Sequence, residues 1–140
     1  MKHLNSAIIA GLVMLLVGVG VYHYLAGKVL KRVGFQFDYW GLAIDSKYKN
    51  KWLWTDDSEF LAKVADWRRN LKRYQLDAAL RQGGGRIVLE FKNGRKEEFL
   101  THSLGLTGPG SLVLLNGRHM QSKTDPFSEF LRHIDLKDLK

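Results

Sequence analysis

The side chains best suited to acid–base or metal chemistry lie in the last third of the chain: His102, His119 and His133, with Asp125 between the last two. Imidazole titrates near neutral pH and ligates metals through a ring nitrogen, so histidines converging beside a carboxylate are raw material for proton transfer. Their separations match no metal-ligand spacing. Strand ends could still bring His102 and His119 together beside Asp125, and a membrane-tethered enzyme with that site between two hairpins is the alternative reading.

Other candidates reduce to structure. Gly105-Leu106-Thr107-Gly108-Pro109-Gly110 lacks the Gly-Lys-Ser/Thr ending of a phosphate loop, and its proline removes a backbone donor. Gly83 to Gly85 precedes a strand-like run instead of opening a helix, which rules out a dinucleotide fingerprint. Ser103 and Ser111 have no nucleophile-elbow context. Glu90, Glu97 and Glu98 are interleaved with Lys92, Arg95 and Lys96, a pattern of charge pairing and not of paired-carboxylate catalysis. The absence of cysteine excludes disulfides, thiol catalysis and cysteine metal sites. No catalytic residue, metal ligand or cofactor is assigned, and no particular small-molecule ligand is implied.

Two basic groups remain. Arg68, Arg69, Lys72 and Arg73 crowd one side of a helical pattern, where they are candidates for partner binding, a nucleic-acid-binding ridge being a third reading of the chain, or form a solvated face. Lys28, Lys31 and Arg32 follow directly on the longest apolar stretch. The formal charge is +8, and residues 1–33 supply four bases and no acid, half of that excess. The densest basic segment therefore adjoins the apolar stretch instead of a folded face. Anionic lipid headgroups are the nearer partner, and nucleic acid is disfavoured.

These groups must be positioned by a few elements. From Leu4 to Ala26 no side chain carries a permanent charge. The roughly 19 residues from Ala7 to Leu25 match a hydrocarbon core of about 30 Å at about 1.5 Å per residue, which predicts one membrane-spanning helix. A cleavable signal peptide fits less well: Tyr24 stands where a peptidase prefers a small residue before Gly27, although Gly18 and Gly20 would allow a cut before Val21. Lys28, Lys31 and Arg32 outweigh Lys2 and the α-amine by one charge. That margin favours a cytoplasmic C-terminal domain, with a periplasmic or extracellular one as the alternative. Ala7, Gly11 and Gly18 share one helix face and form a small-residue stripe that would let a partner helix approach closely.

Residues 34–140 then make one small soluble domain behind an anchor and basic segment at 1–33, and the expected class is α+β. Phe35, Phe37 and Tyr39 alternate with polar residues and continue through Leu42 and Ile44 as a strand, with a turn at Asp45–Lys47 and a weaker strand through Tyr48, Trp52 and Trp54. Trp40, Trp52 and Trp54 are expected in the core. Phe60, Val64, Trp67, Leu71, Tyr74 and Ala78 recur at spacings of three and four, predicting a long amphipathic helix over 57–82 with Asp56 as N-cap, Glu59 completing a capping box and Gly83 as terminator.

Asn93-Gly94 and Asn116-Gly117 predict two hairpins. A three-residue loop at the first would set Leu89 opposite Phe99, and Leu112 to Leu115 suits a strand covered on both faces. A short helix from Pro126 to about His133 or Ile134 ends the domain. In architecture alone, the second hairpin followed by a helix resembles the C-terminal half of bacterial pleckstrin-homology-like domains, a plan from which the long middle helix departs. The function expected from these elements is that of a single-pass, non-catalytic accessory or adaptor protein. Its helix would pack in a membrane protein complex while the domain docks at the membrane surface.

Overall fold

The computed structural model describes residues 2–37, 51–74, 85–101, 111–133 and 135. Tyr39, Trp40, Leu42, Ile44, the Asp45–Lys47 turn, Tyr48, Ala78, Gly83, His102, the 105–110 glycine run and Ile134 lie outside them.

Helix α1 spans Lys2–Ala26. Within it the 21 residues of Ser6–Ala26 are long and apolar enough to cross a membrane. Every residue from Ser6 to Leu25 is exposed, so no apolar face of the helix is buried against the sheet. Three residues, 27–29, separate the helix end from strand β1 (Leu30–Phe37). It thus begins inside the segment assigned by sequence to the anchor, because Leu30 and Val33 turn into the core while Arg32 takes the other face.

The remaining elements are β2 (Trp52–Thr55), α2 (Ser58–Arg69), β3 (Lys72–Arg73), β4 (Gly85–Phe91), β5 (Lys96–Thr101), β6 (Ser111–Leu115), β7 (Arg118–Ser122) and α3 (Pro126–His133). The described strands form one antiparallel sheet in the order β2-β1-β4-β5-β6-β7-β3. With α1 ahead of this sheet and helices packed on it, the class is α+β.

One face of the sheet is covered. Val33, Phe35, Leu53, Ile87, Leu89, Phe91, Phe99 and Val113 meet Phe60, Val64 and Trp67 of α2 and Phe127 of α3 in a single buried cluster. Trp67 is fully buried and meets the Phe127 ring edge-on at 4.8 Å and the Phe99 ring at 5.2 Å. Truncating so large a buried ring would cost about 3–5 kcal/mol. The opposite face carries Trp52 and Trp54, whose rings stack 5.9 Å apart and are only half-buried, so they lie outside the core where they were expected. A Cβ on Gly34 would stand 2.8 Å from the Trp54 ring, so only glycine admits that close approach. Leu114 is also half-buried, so β6 is not covered on both faces.

Helix α2 is shorter than its periodicity suggests. Its N-cap is Asp57, one residue later than expected, and Asp57 Oδ1 accepts from the Phe60 N–H at 2.7 Å. It ends at Asn70, whose side-chain amide donates back to the Asp66 carbonyl at 2.9 Å, the local competition by which asparagine terminates helices. Leu71 still packs against the core, but Lys72 and Arg73 pair with Gln121 and Met120 at the edge of the sheet. Strand pairing has overridden the helical period there, and Tyr74 is 40% exposed.

The β4–β5 register also differs from the expected one. Ile87 stands opposite Phe99 and Leu89 opposite Glu97, not Phe99. The loop is Lys92-Asn93-Gly94, with the Gly94 N–H donating to the Phe91 carbonyl at 2.9 Å and Gly94 at φ 84°. That combination is a turn followed by a left-handed glycine, a conformation open to glycine at little cost.

Candidate functional site

Long-range polar contacts gather at the junction between α1 and the sheet. A helix end leaves its last carbonyls without intrahelical partners. At the end of α1 the Gly27 N–H donates to the His23 carbonyl at 3.0 Å and the Lys28 N–H to the Leu25 carbonyl at 3.0 Å. Further donors arrive from the β4–β5 turn. Arg95 Nη2 donates to the Gly27 carbonyl at 2.8 Å, the Lys92 N–H donates to the Val29 carbonyl at 2.9 Å, and Asn93 Nδ2 stands 3.4 Å from the His23 carbonyl.

The turn is thereby clamped on the end of α1 and the three-residue connector that follows it. Arg95 lies over the Phe91 ring at 4.2 Å and within 3.4 Å of Glu97, which fixes the guanidinium that reaches Gly27. Gly27 is buried, and a Cβ there would come within 2.6 Å of the Asn93 amide nitrogen.

Beside the clamp lies a charge cluster around Glu90, whose side chain is 8% exposed. Its carboxylate accepts from Arg32 Nη2 at 2.8 Å, Arg32 Nε at 3.0 Å and Lys31 Nζ at 3.2 Å, and Lys96 Nζ stands 4.0 Å away. Burial pushes the Glu90 pKa up, but the hydrogen bonds and charges of Arg32 and Lys31 outweigh it and hold the carboxyl below its usual range. Arg32 also lies over the Trp54 ring at 4.3 Å. This cluster locks the start of β1 to β4.

The sequence candidates fall in several places. Ala7, Gly11 and Gly18 are exposed on α1, and a Cβ at Gly11 or Gly18 would meet nothing within 4 Å. Lys28 is exposed, with its ammonium 4.1 Å from the Tyr24 ring centre. Lys31 keeps much of its side chain in solvent, whereas Arg32 is engaged by Glu90 and Trp54.

The four-base ridge is divided. Arg68 binds Glu97 through two nitrogens, a bond that raises the Arg68 pKa against the opposing effect of burial, and Arg69 pairs with Asp66 at 3.1 Å. Lys72 and Arg73 sit on β3 instead. There they line an open cleft of about 610 Å³ with Asn70, Gln121, Ser122, Lys123 and Thr124.

The His/Asp arrangement is not assembled by the described residues. His119 lies opposite Leu114 on the face away from Met120 and the core. Asp125 lines a different cleft with Lys63 and Asp66 of α2, which covers the other face. Among the described residues no three His, Asp or Glu gather into a metal site.

Sequence reasoning missed Lys92, Arg95 and Lys96, which it treated only as charge partners for the glutamates. The signal that could have found them is three bases on one Asn-Gly turn. Comparison with known proteins finds no matching family model, no matching curated protein and no matching solved structure.

Proposed function

We propose that this protein is a single-pass membrane-anchored accessory protein, non-catalytic, that holds a small α+β domain against the bilayer while its helix packs with a membrane protein partner. The observation that supports the reading best is the clamp: the β4–β5 turn binds the carbonyls of His23, Gly27 and Val29 directly. A freely hinged tether would need no such contacts. A domain fixed to the helix end transmits the position of α1 to the sheet, which suits an adaptor whose role is geometric. The 21 residues of Ser6–Ala26 rise about 31 Å as a helix and cover the hydrocarbon core once.

The Ala7, Gly11 and Gly18 face is the proposed partner contact, since small residues let a second backbone approach within van der Waals distance. The basic flank after Ala26 favours a cytoplasmic domain. Full-length protein carrying an affinity tag should co-purify with a membrane complex from mild detergent, and the double variant Gly11→Ile with Gly18→Ile should lose it. Both added side chains point into open space, so folding of the domain is unaffected and the loss reports the partner contact. Retained association in that variant counts against the helix interface.

A further inference from the structure

We propose that the β4–β5 turn completes a basic collar that binds anionic phospholipid headgroups around the end of α1, with Lys92 and Lys96 as its newly assigned members. The inference rests on the anchored reading above and extends it to residues more than 60 positions away in sequence.

The argument starts from height. Asn93 reaches the carbonyl of His23, three residues before the end of α1 at Ala26, or about 4.5 Å back along the helix axis. Headgroup layers add roughly 5–7 Å beyond each side of the hydrocarbon core. A turn touching His23 within the span and Gly27 and Val29 beyond it therefore sits at the boundary between the hydrocarbon core and the headgroup layer when α1 spans the bilayer. It is held there by three hydrogen bonds and not by chance proximity.

Charge supplies the second step. Lys28 from the connector, Lys31 and Arg32 from the start of β1, Lys92 and Arg95 from the turn and Lys96 from the start of β5 make six cations around this junction. Two acids offset them: Glu90, buried under Lys31 and Arg32, and Glu97, which is shared between Arg95 and Arg68. The clamp commits Arg95 to the Gly27 carbonyl and Arg32 to Glu90, while Lys28, Lys31, Lys92 and Lys96 remain exposed. Lys31 and Lys96 share Glu90 and Lys28 leans on the Tyr24 ring, yet all four side chains reach solvent, and their ammonium groups are point charges suited to phosphodiester oxygens. Near an anionic surface each strengthens attachment by on the order of fivefold. Clamping Lys92 at this height makes the orientation of the whole sheet depend on the lipid beneath it.

The test uses the full chain reconstituted into nanodiscs of pure phosphatidylcholine and of phosphatidylcholine mixed with phosphatidylglycerol. Acetylation rates of individual lysines are read by mass spectrometry at low salt. Lys28, Lys31, Lys92 and Lys96 should be acetylated at least fivefold more slowly in the anionic discs, about the factor expected of one cation. Lys72 and Lys123, toward the opposite edge of the sheet, should be unchanged. High salt should abolish the difference. The double variant Lys92→Gln with Lys96→Gln, both at exposed positions, should weaken the slowing at Lys28 and Lys31. Equal rates in the two discs, for protein that co-elutes with them, would overturn the collar and leave the anchor standing. Failure to enter either disc would overturn both. Slowing seen only in native membranes would assign the turn to a protein partner and likewise overturn the lipid proposal.

Discussion

The chain closes two antiparallel strand pairs with the same dipeptide, and the two turns differ. At Asn116-Gly117 both residues have positive φ, 50° and 73°, and Leu115 pairs directly with Arg118, the tight loop that this dipeptide favours. At Asn93-Gly94 only the glycine is left-handed, the loop is one residue longer, and Asn93 spends its side chain on the Arg95 N–H and the His23 carbonyl. Turn chemistry alone explains the first geometry. The second is an equally regular three-residue loop that also makes contacts: it carries those that tie the sheet to the end of α1 and the connector after it.

The contrast can be broken most strongly at Gly27. Gly27→Val places new atoms within 2.6 Å of the Asn93 amide and 3.2 Å of the His23 carbonyl, so the Asn93 side chain must swing aside and lose its contact with that carbonyl while the chain at the helix end gives way. The expected loss is about 2–3 kcal/mol in denaturant unfolding followed by tryptophan fluorescence, with faster hydrogen exchange at residues 92–95 and none at 116–117.

Glu90→Gln comes next, with about 2 kcal/mol expected from weakened charged hydrogen bonds to Arg32 and Lys31. The Glu90 pKa is depressed in the folded protein. Its contribution is therefore complete above the unfolded carboxylate value of about 4.3 and is lost as pH falls through the lower folded value. The gap between wild type and variant should accordingly be widest at neutral pH and close on acidification.

Gly94→Ala and Gly117→Ala sharpen the comparison, since each forces an L residue to positive φ, 84° and 73° respectively, at about 1 kcal/mol. Their stabilities should match. Only Gly94→Ala should speed exchange of the Lys92 amide, which donates to Val29. The smallest effect is expected at an exposed pair outside both turns: Arg69→Gln, which frees Asp66, should change stability by under about 0.5 kcal/mol.

What was legible in the sequence follows the range of the interactions involved. The apolar helix, the α+β class, the start of α2 near Asp57 and the buried trio Phe60, Val64 and Trp67 all rest on local pattern, and the structure contains them. The end of α2 was not legible, because edge pairing of Lys72 and Arg73 with β7 competes with a helical period that continues through Tyr74. The junction was half legible. Lys28, Lys31 and Arg32 are adjacent to the span, but Arg95 meets Gly27 across 68 residues, a distance at which no periodicity speaks. Asp38, Tyr39 and the other expected elements at 38–50 lie outside the described residues.

The most direct measurement is alkaline carbonate extraction of membranes containing the full-length protein, followed by intact mass of the recovered chain. An anchor holding a domain at the bilayer requires the chain to remain in the pellet with residues 2–26 still attached. Recovery in the supernatant, or a mature chain starting after Ala26, would contradict it.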